Sequence, residues 1–136
     1  MELPARAGVL AWLLEGDPAI SWQVMRDLTG APTDVVAHER SRIAVEGWGA
    51  RMLAAQEGDG LWAGAWYSPK WTSTTYTLLL LHWLGLPEGN DQALTGCRRL
   101  WDGARIYDGG LNLAKTNREP ETCITSMLVL LAASFG

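Results

Sequence analysis

The chain is short of phenylalanine, cysteine and basic clusters, and each shortage excludes something. Two cysteines, Cys97 and Cys123, cannot form a disulfide framework, and nothing in the sequence resembles a signal peptide. A reduced, cytoplasmic protein is the resulting expectation. Lys and Arg number 11 against 15 Asp and Glu, a net charge of −4, and the densest basic cluster is Arg98-Arg99. Nucleic acid is therefore not an expected partner, because phosphate binding needs a basic face. The longest apolar run, Leu78–Leu81 extended through Trp83-Leu84, falls far below the ~20 residues that cross a bilayer. No membrane span is expected. Also missing are a phosphate loop, a G-x-S-x-G elbow, and any His/Asp/Ser set that spacing would bring together.

What is present fits one globular domain spanning residues 1–136, with 48% hydrophobic and 19% charged residues. The aromatic set is unusual: 8 Trp and 3 Tyr against 1 Phe. Each indole carries an N–H that wants a partner, so this bias points to loop–helix junctions or pocket walls, where one ring edge is polar.

Helical periodicity dominates. Leu3, Ala7, Leu10 and Leu14 form a stripe over 3–15, widened by Trp12 and Leu13. Asp17 and Pro18 suit an N-cap and first helical position, and the next helix runs to about Leu28 before a Gly30 stop. Thr33 is positioned to cap a third, charged helix that reads as an outer, solvated one, with Gly47 and Gly49 breaking it before a stretch over 50–56. A Gly- and Trp-rich loop over 57–71 leads into TSTTYTLLLLHWLGL (72–86), apolar on every side and so expected to be buried all round. Asn90 or Asp91 caps an amphipathic helix to about Gly103, and a second loop containing Asp108-Gly109-Gly110 precedes another apolar helix, ETCITSMLVLLAASF. No strand is expected.

The two halves repeat. Gly60-Leu61 matches Gly110-Leu111, Thr72 matches Thr122, Thr75 matches Thr125, and Leu78–Leu81 matches Leu128–Leu131, all offset by 50 residues. Such a period means one supersecondary unit stacked on its copies. The unit is a charged outer helix, a Gly-rich loop and an apolar inner helix, giving repeats of roughly 1–30, 33–86 and 90–136. The expected fold is thus an all-α, α/α-repeat domain of about three helix pairs. A HEAT-like solenoid is the competing helical architecture, and the segment DPAISWQVMRDL has that flavour.

Gln56, Gly60 and Trp62 read Q-x3-G-x-W between an outer and an inner helix. The pattern resembles the QW motif of the squalene-cyclase and protein-prenyltransferase α/α-toroid superfamily. That resemblance covers roughly residues 45–136 and implies a structural role for the three residues, bracing one helix end against the next. The second copy keeps Gly110 but has Asn112 where the Trp would stand, and looks more like the D-G-G loops of the same superfamily. Neither the D-x-D-D acid of the cyclases nor a D-D-x-x-D metal–diphosphate box is present. A full toroid needs about twice as many helix pairs, so the resemblance implies a partial toroid, a homo-oligomer or a further toroid-completing domain.

Candidate ligand-binding residues fall in the two loops and the helix starts after them. The first set is Trp62, Trp66, Tyr67, Lys70, Trp71, Thr75 and Tyr76; the second is Asp108, Glu121 and Cys123. Aromatic faces make walls for an apolar, isoprenoid-type molecule, or they seal helix ends. The threonines serve as caps, line the cavity or bond back to carbonyls. Glu121-x-Cys123 resembles the Asp-x-Cys zinc pair of prenyltransferases, with Glu in place of Asp and no later His, so no cofactor is predicted and zinc is the one metal option. Otherwise Cys123 is a small core residue and Glu121 a first-turn acid favoured by the helix dipole. Three functions follow: an apolar-ligand-binding toroid relative without the cyclase acid, a helical-repeat scaffold for protein interaction or self-assembly, and a zinc-dependent prenyltransferase-like enzyme.

Overall fold

The computed structural model describes residues 3–114 and 116–136. The chain is mostly helical: α1 Leu3–Leu14, α2 Pro18–Val24, α3 Thr33–Ser41, α4 Gly47–Ala54, α5 Thr74–Leu84, α6 Asp91–Gly103 and α7 Thr122–Phe135. The stripe positions Leu3 and Ala7 lie outside the described side chains. The chain divides into two compact units, Met1–Arg51 with Leu84–Pro87, and Met52–Trp83 with Glu88–Gly136.

In the first unit, Asp17 ends one helix connection and starts two helices. Its Oδ1 accepts from the Ala19 N–H at 2.9 Å and its Oδ2 from the Trp48 N–H at 2.7 Å, so one carboxylate caps the heads of α2 and α4. Helix α2 widens into a π-turn over Met25–Thr29 and stops at Gly30, which takes φ +62°. Helix α3 begins at Thr33 itself; its N-cap is Pro32, whose ring has no hydrogen-bonding group, rather than the threonine expected there. It tightens into a 3-10 turn over Arg42–Ala44, and after a break α4 starts at Gly47, ahead of the stretch expected over 50–56.

Trp22 fills the centre of this unit. Its Nε1 donates to the Leu84 carbonyl at 2.8 Å, and the Arg26 and Arg40 guanidiniums lie 4.4 and 5.1 Å from the ring centroid. Arg40 also donates to the Gly85 carbonyl at 2.6 Å and the Leu86 carbonyl at 3.4 Å, satisfying groups just past the end of α5. On the other side of α2, the Ser21 hydroxyl donates to the buried Glu39 carboxylate, which Arg42 grips with one nitrogen at 2.8 and 2.9 Å.

The second unit buries Leu78, Leu79 and Leu81 of α5, Ala93, Cys97 and Leu100 of α6, and Ile124, Leu128, Leu131 and Phe135 of α7. Asn90 caps α6 through the Ala93 N–H at 3.0 Å, as expected from sequence. Gly96 lets α6 meet the Trp62 indole, since a Cβ there would stand 2.8 Å from the ring. The expectation of a strand-free chain is overturned: Arg105–Tyr107 and Gly110–Asn112 pair as an antiparallel hairpin, with Ile106 opposite Leu111. Asp108 and Gly109 make its two-residue turn, Gly109 at φ +90°.

The apolar helices are also not buried all round. Leu80 and Trp83 of α5 and Val129 and Leu130 of α7 are exposed, Trp83 to 62%. A four-leucine run fills more of a helix circumference than the core of this unit can cover.

Candidate functional site

The second unit carries a hollow of about 510 Å³ whose walls come from the two loops and the head of α7. Its apolar lining residues include Leu61, Ala65, Trp66, Leu113 and Ile124; its polar ones include Tyr67, Thr116 and Glu121.

The loops are held by threonines in the first turns of the apolar helices. Thr74 Oγ1 accepts from the Trp62 N–H at 3.0 Å, and Thr75 Oγ1 donates to the Trp66 carbonyl at 2.7 Å. Fifty residues on, Thr125 Oγ1 accepts from the Leu111 N–H at 2.8 Å. In both places a threonine at the head of an apolar helix pins the Gly-rich loop before it. Thr75 is buried behind the loop and clamps it, so it is not a wall of the hollow.

Gln56, Gly60 and Trp62 form a brace. Gln56 Nε2 donates to the Gly60 carbonyl at 2.9 Å and to the Gln92 carbonyl at 2.8 Å, and Gln92 answers by donating to the Leu53 carbonyl at 2.8 Å. Trp62 is buried and its Nε1 donates to the Met52 carbonyl of α4 at 2.7 Å. Gly60 sits at φ +85° with Thr95 only 2.7 Å from where a Cβ would be, so the turn admits no side chain. Fifty residues after Trp62 the sequence has Asn112. It is fully buried, donating to the Glu119 carbonyl at 2.7 Å and accepting from the Ala114 N–H at 2.7 Å.

Three aromatic rings lie in sequence from the lining residue Tyr67 outward. Trp71, 78% exposed and at φ +73°, packs tilted on Tyr76 with centroids 5.2 Å apart; Tyr76 packs on Tyr67 at 5.4 Å. The Tyr76 hydroxyl donates to that of Tyr67 at 3.2 Å. This bond, then burial, then the nearby Tyr76, Cys123 and Glu121 charges push the Tyr67 phenol up to about 12, so it is neutral and a donor at ordinary pH. Across from it, Glu121 accepts from Asn117 Nδ2 at 3.3 Å and from the Cys123 thiol at 3.7 Å.

Of the residues singled out from sequence, Trp66, Tyr67 and Glu121 share the hollow, with Tyr76, Trp71 and Cys123 beside them. Lys70 is exposed on the loop and Asp108 is exposed at the hairpin turn; neither is among the lining residues. Cys123 is exposed, which corrects the core-residue reading of it: the first turn of α7 carries it past the core, and Ile124 is the residue that turns inward. Glu121 and Cys123 stand as a pair; among the described residues no group of three His, Cys, Asp or Glu could hold a metal ion. Sequence reasoning missed Leu61, Leu113, Ile124 and Asn117. The first three read as ordinary core residues, and Asn117 lies in a loop with no periodicity to place it. The Trp66 ring packs on Gly103 of α6, and its Nε1 is buried with no hydrogen-bond partner among the described residues.

The geometry defines a mostly helical protein with an amphipathic hollow, and among the described residues no helix is long and apolar enough to cross a membrane. Comparison with family models, with curated proteins and with solved structures yields no match.

Proposed function

We propose that the chain is a partial α/α-repeat relative of the squalene-cyclase and prenyltransferase toroids, and that it binds an apolar, isoprenoid-type molecule. The hollow itself carries this reading: about 510 Å³ lined by Leu61, Trp66, Leu113 and Ile124, with Tyr67, Thr116 and Glu121 as polar lining residues. That volume and lining suit a small apolar ligand with one polar end. The Gln56–Trp62 brace and the threonine clamps at a 50-residue offset support the family part of the reading. The role is binding rather than cyclisation, because the sequence lacks the D-x-D-D acid and Glu121 is the one carboxylate among the described lining residues.

Titration with farnesol and with squalene, followed by tryptophan quenching and thermal midpoint, tests it. Farnesol is expected to quench and to stabilise, and Ala114→Trp, which fills the hollow, is expected to abolish both effects. No quench and no shift with either ligand overturns the reading.

A second reading, self-assembly, is favoured by the exposed Leu80, Trp83, Val129 and Leu130 on the two apolar helices. A strictly monomeric mass by light scattering, well above micromolar concentration, would end it.

A further inference from the structure

We infer that the first unit holds a second binding site, one for a small organic ammonium ion. The hollow there, about 450 Å³, is lined by residues that include two tryptophans, Trp12 and Trp48, the apolar Leu13 and Ile20, and two acids, Glu15 and Asp17. Both indoles show themselves to solvent, Trp12 at 70% and Trp48 at 48%. Neither contributes a buried ring to the core of the unit, yet both border the same hollow.

The charge pattern names the occupant. Indole faces carry negative π density and attract cations, and alkylammonium ions in particular present a charged but poorly hydrated surface to them. The lining residues include two acids and, among the described residues, no Lys, Arg or His. Asp17 already shares its charge with the N–H groups of Ala19 and Trp48, which fixes the carboxylate and holds the Trp48 backbone beside it. Glu15 is different: among the described residues its side chain makes no hydrogen bond or ion pair. It is the charge left to answer a ligand. A phosphate or carboxylate ligand would meet repulsion here, and a neutral apolar one would use the indoles but leave Glu15 unanswered. This site rests on nothing proposed for the second unit, since every residue named lies within Met1–Arg51.

The test uses the full chain, labelled with nitrogen-15, and reads the indole N–H resonances, assigned with Trp12→Phe and Trp48→Phe. Choline is the probe and 3,3-dimethylbutan-1-ol, its uncharged isostere, is the control. Choline is expected to move the Trp12 and Trp48 signals along one saturating curve, and the neutral alcohol to bind ~5-fold more weakly or worse. Glu15→Gln, at an exposed position after α1 that carries no fold contact through its carboxylate, is expected to weaken choline by ~5-fold as well. Equal binding of choline and the alcohol, shifts at other indoles instead, or an unchanged affinity in Glu15→Gln would each overturn the proposal.

Discussion

At Gly85 the backbone takes φ +94°, and a methyl group there would overlap the Trp22 ring. The ring cannot retreat, because its Nε1 is bonded to Leu84 and Arg26 and Arg40 lie against it. Gly85→Ala therefore combines a left-handed backbone with a core overlap, and a loss of ~3 kcal/mol or more is expected in urea unfolding. Gln56→Ala removes the donor for two carbonyls and should cost ~1–2 kcal/mol, with the second unit's helices still formed by circular dichroism. The cysteines should separate cleanly. Cys123 is exposed, whereas Cys97 is buried and its thiol is pushed up to about 11 by that burial. A thiol reagent near neutral pH is expected to label Cys123 quickly and Cys97 only on unfolding, since the thiolate is the reactive form. Two fast-reacting thiols in the folded protein would contradict the packing of α6 on α7.

Among the elements, α2 and α3 are joined by a polar clasp that predicts a pH dependence. Burial pushes the Glu39 carboxyl up, but the Ser21 hydroxyl and the Arg42 guanidinium outweigh it and hold the group below its ordinary 4.5. A depressed carboxyl gives stability that is complete above the unfolded value and is lost as pH falls through the folded one. Urea midpoints should therefore drop as pH falls from about 5 to about 3, and Glu39→Gln should flatten that drop while lowering the plateau. The clasp was not legible in the sequence: Glu39 sits in a charged run that reads as solvated, and only the placement of Ser21 shows otherwise. Helix existence was legible, because Leu78–Leu81 and the caps at Asp17 and Asn90 are strong local signals. The hairpin was not, since three-residue strands offer too little alternation to register. Part of the hollow was legible through its aromatics, Trp66 and Tyr67. Its apolar wall was not, since Leu61, Leu113 and Ile124 are buried like the rest of the core and no pattern in the sequence sets them apart.

On the scale of the whole molecule, each of the two compact units has its own hollow, and the ligands proposed for them differ in charge. The lining of the larger one belongs entirely to Met52–Trp83 and Glu88–Gly136, and that of the smaller entirely to Met1–Arg51. A ligand stabilises the conformations it binds in proportion to its excess over Kd, ~2.7 kcal/mol at a hundredfold excess, and the gain falls on the amides whose opening destroys the site. Hydrogen exchange can therefore tell the two sites apart without a crystal. Farnesol is expected to slow exchange at the heads of α5 and α7, where Thr75 and Thr125 pin the loops that wall the larger hollow. Choline is expected to slow exchange instead at the heads of α2 and α4, where the Ala19 and Trp48 N–H groups bond Asp17. Farnesol protecting the Asp17 amides, or choline protecting the Thr125 turn, would show that ligand chemistry does not follow the lining. Because both ligands can be added to one sample, the same experiment also asks whether each still finds its own hollow when the other is filled.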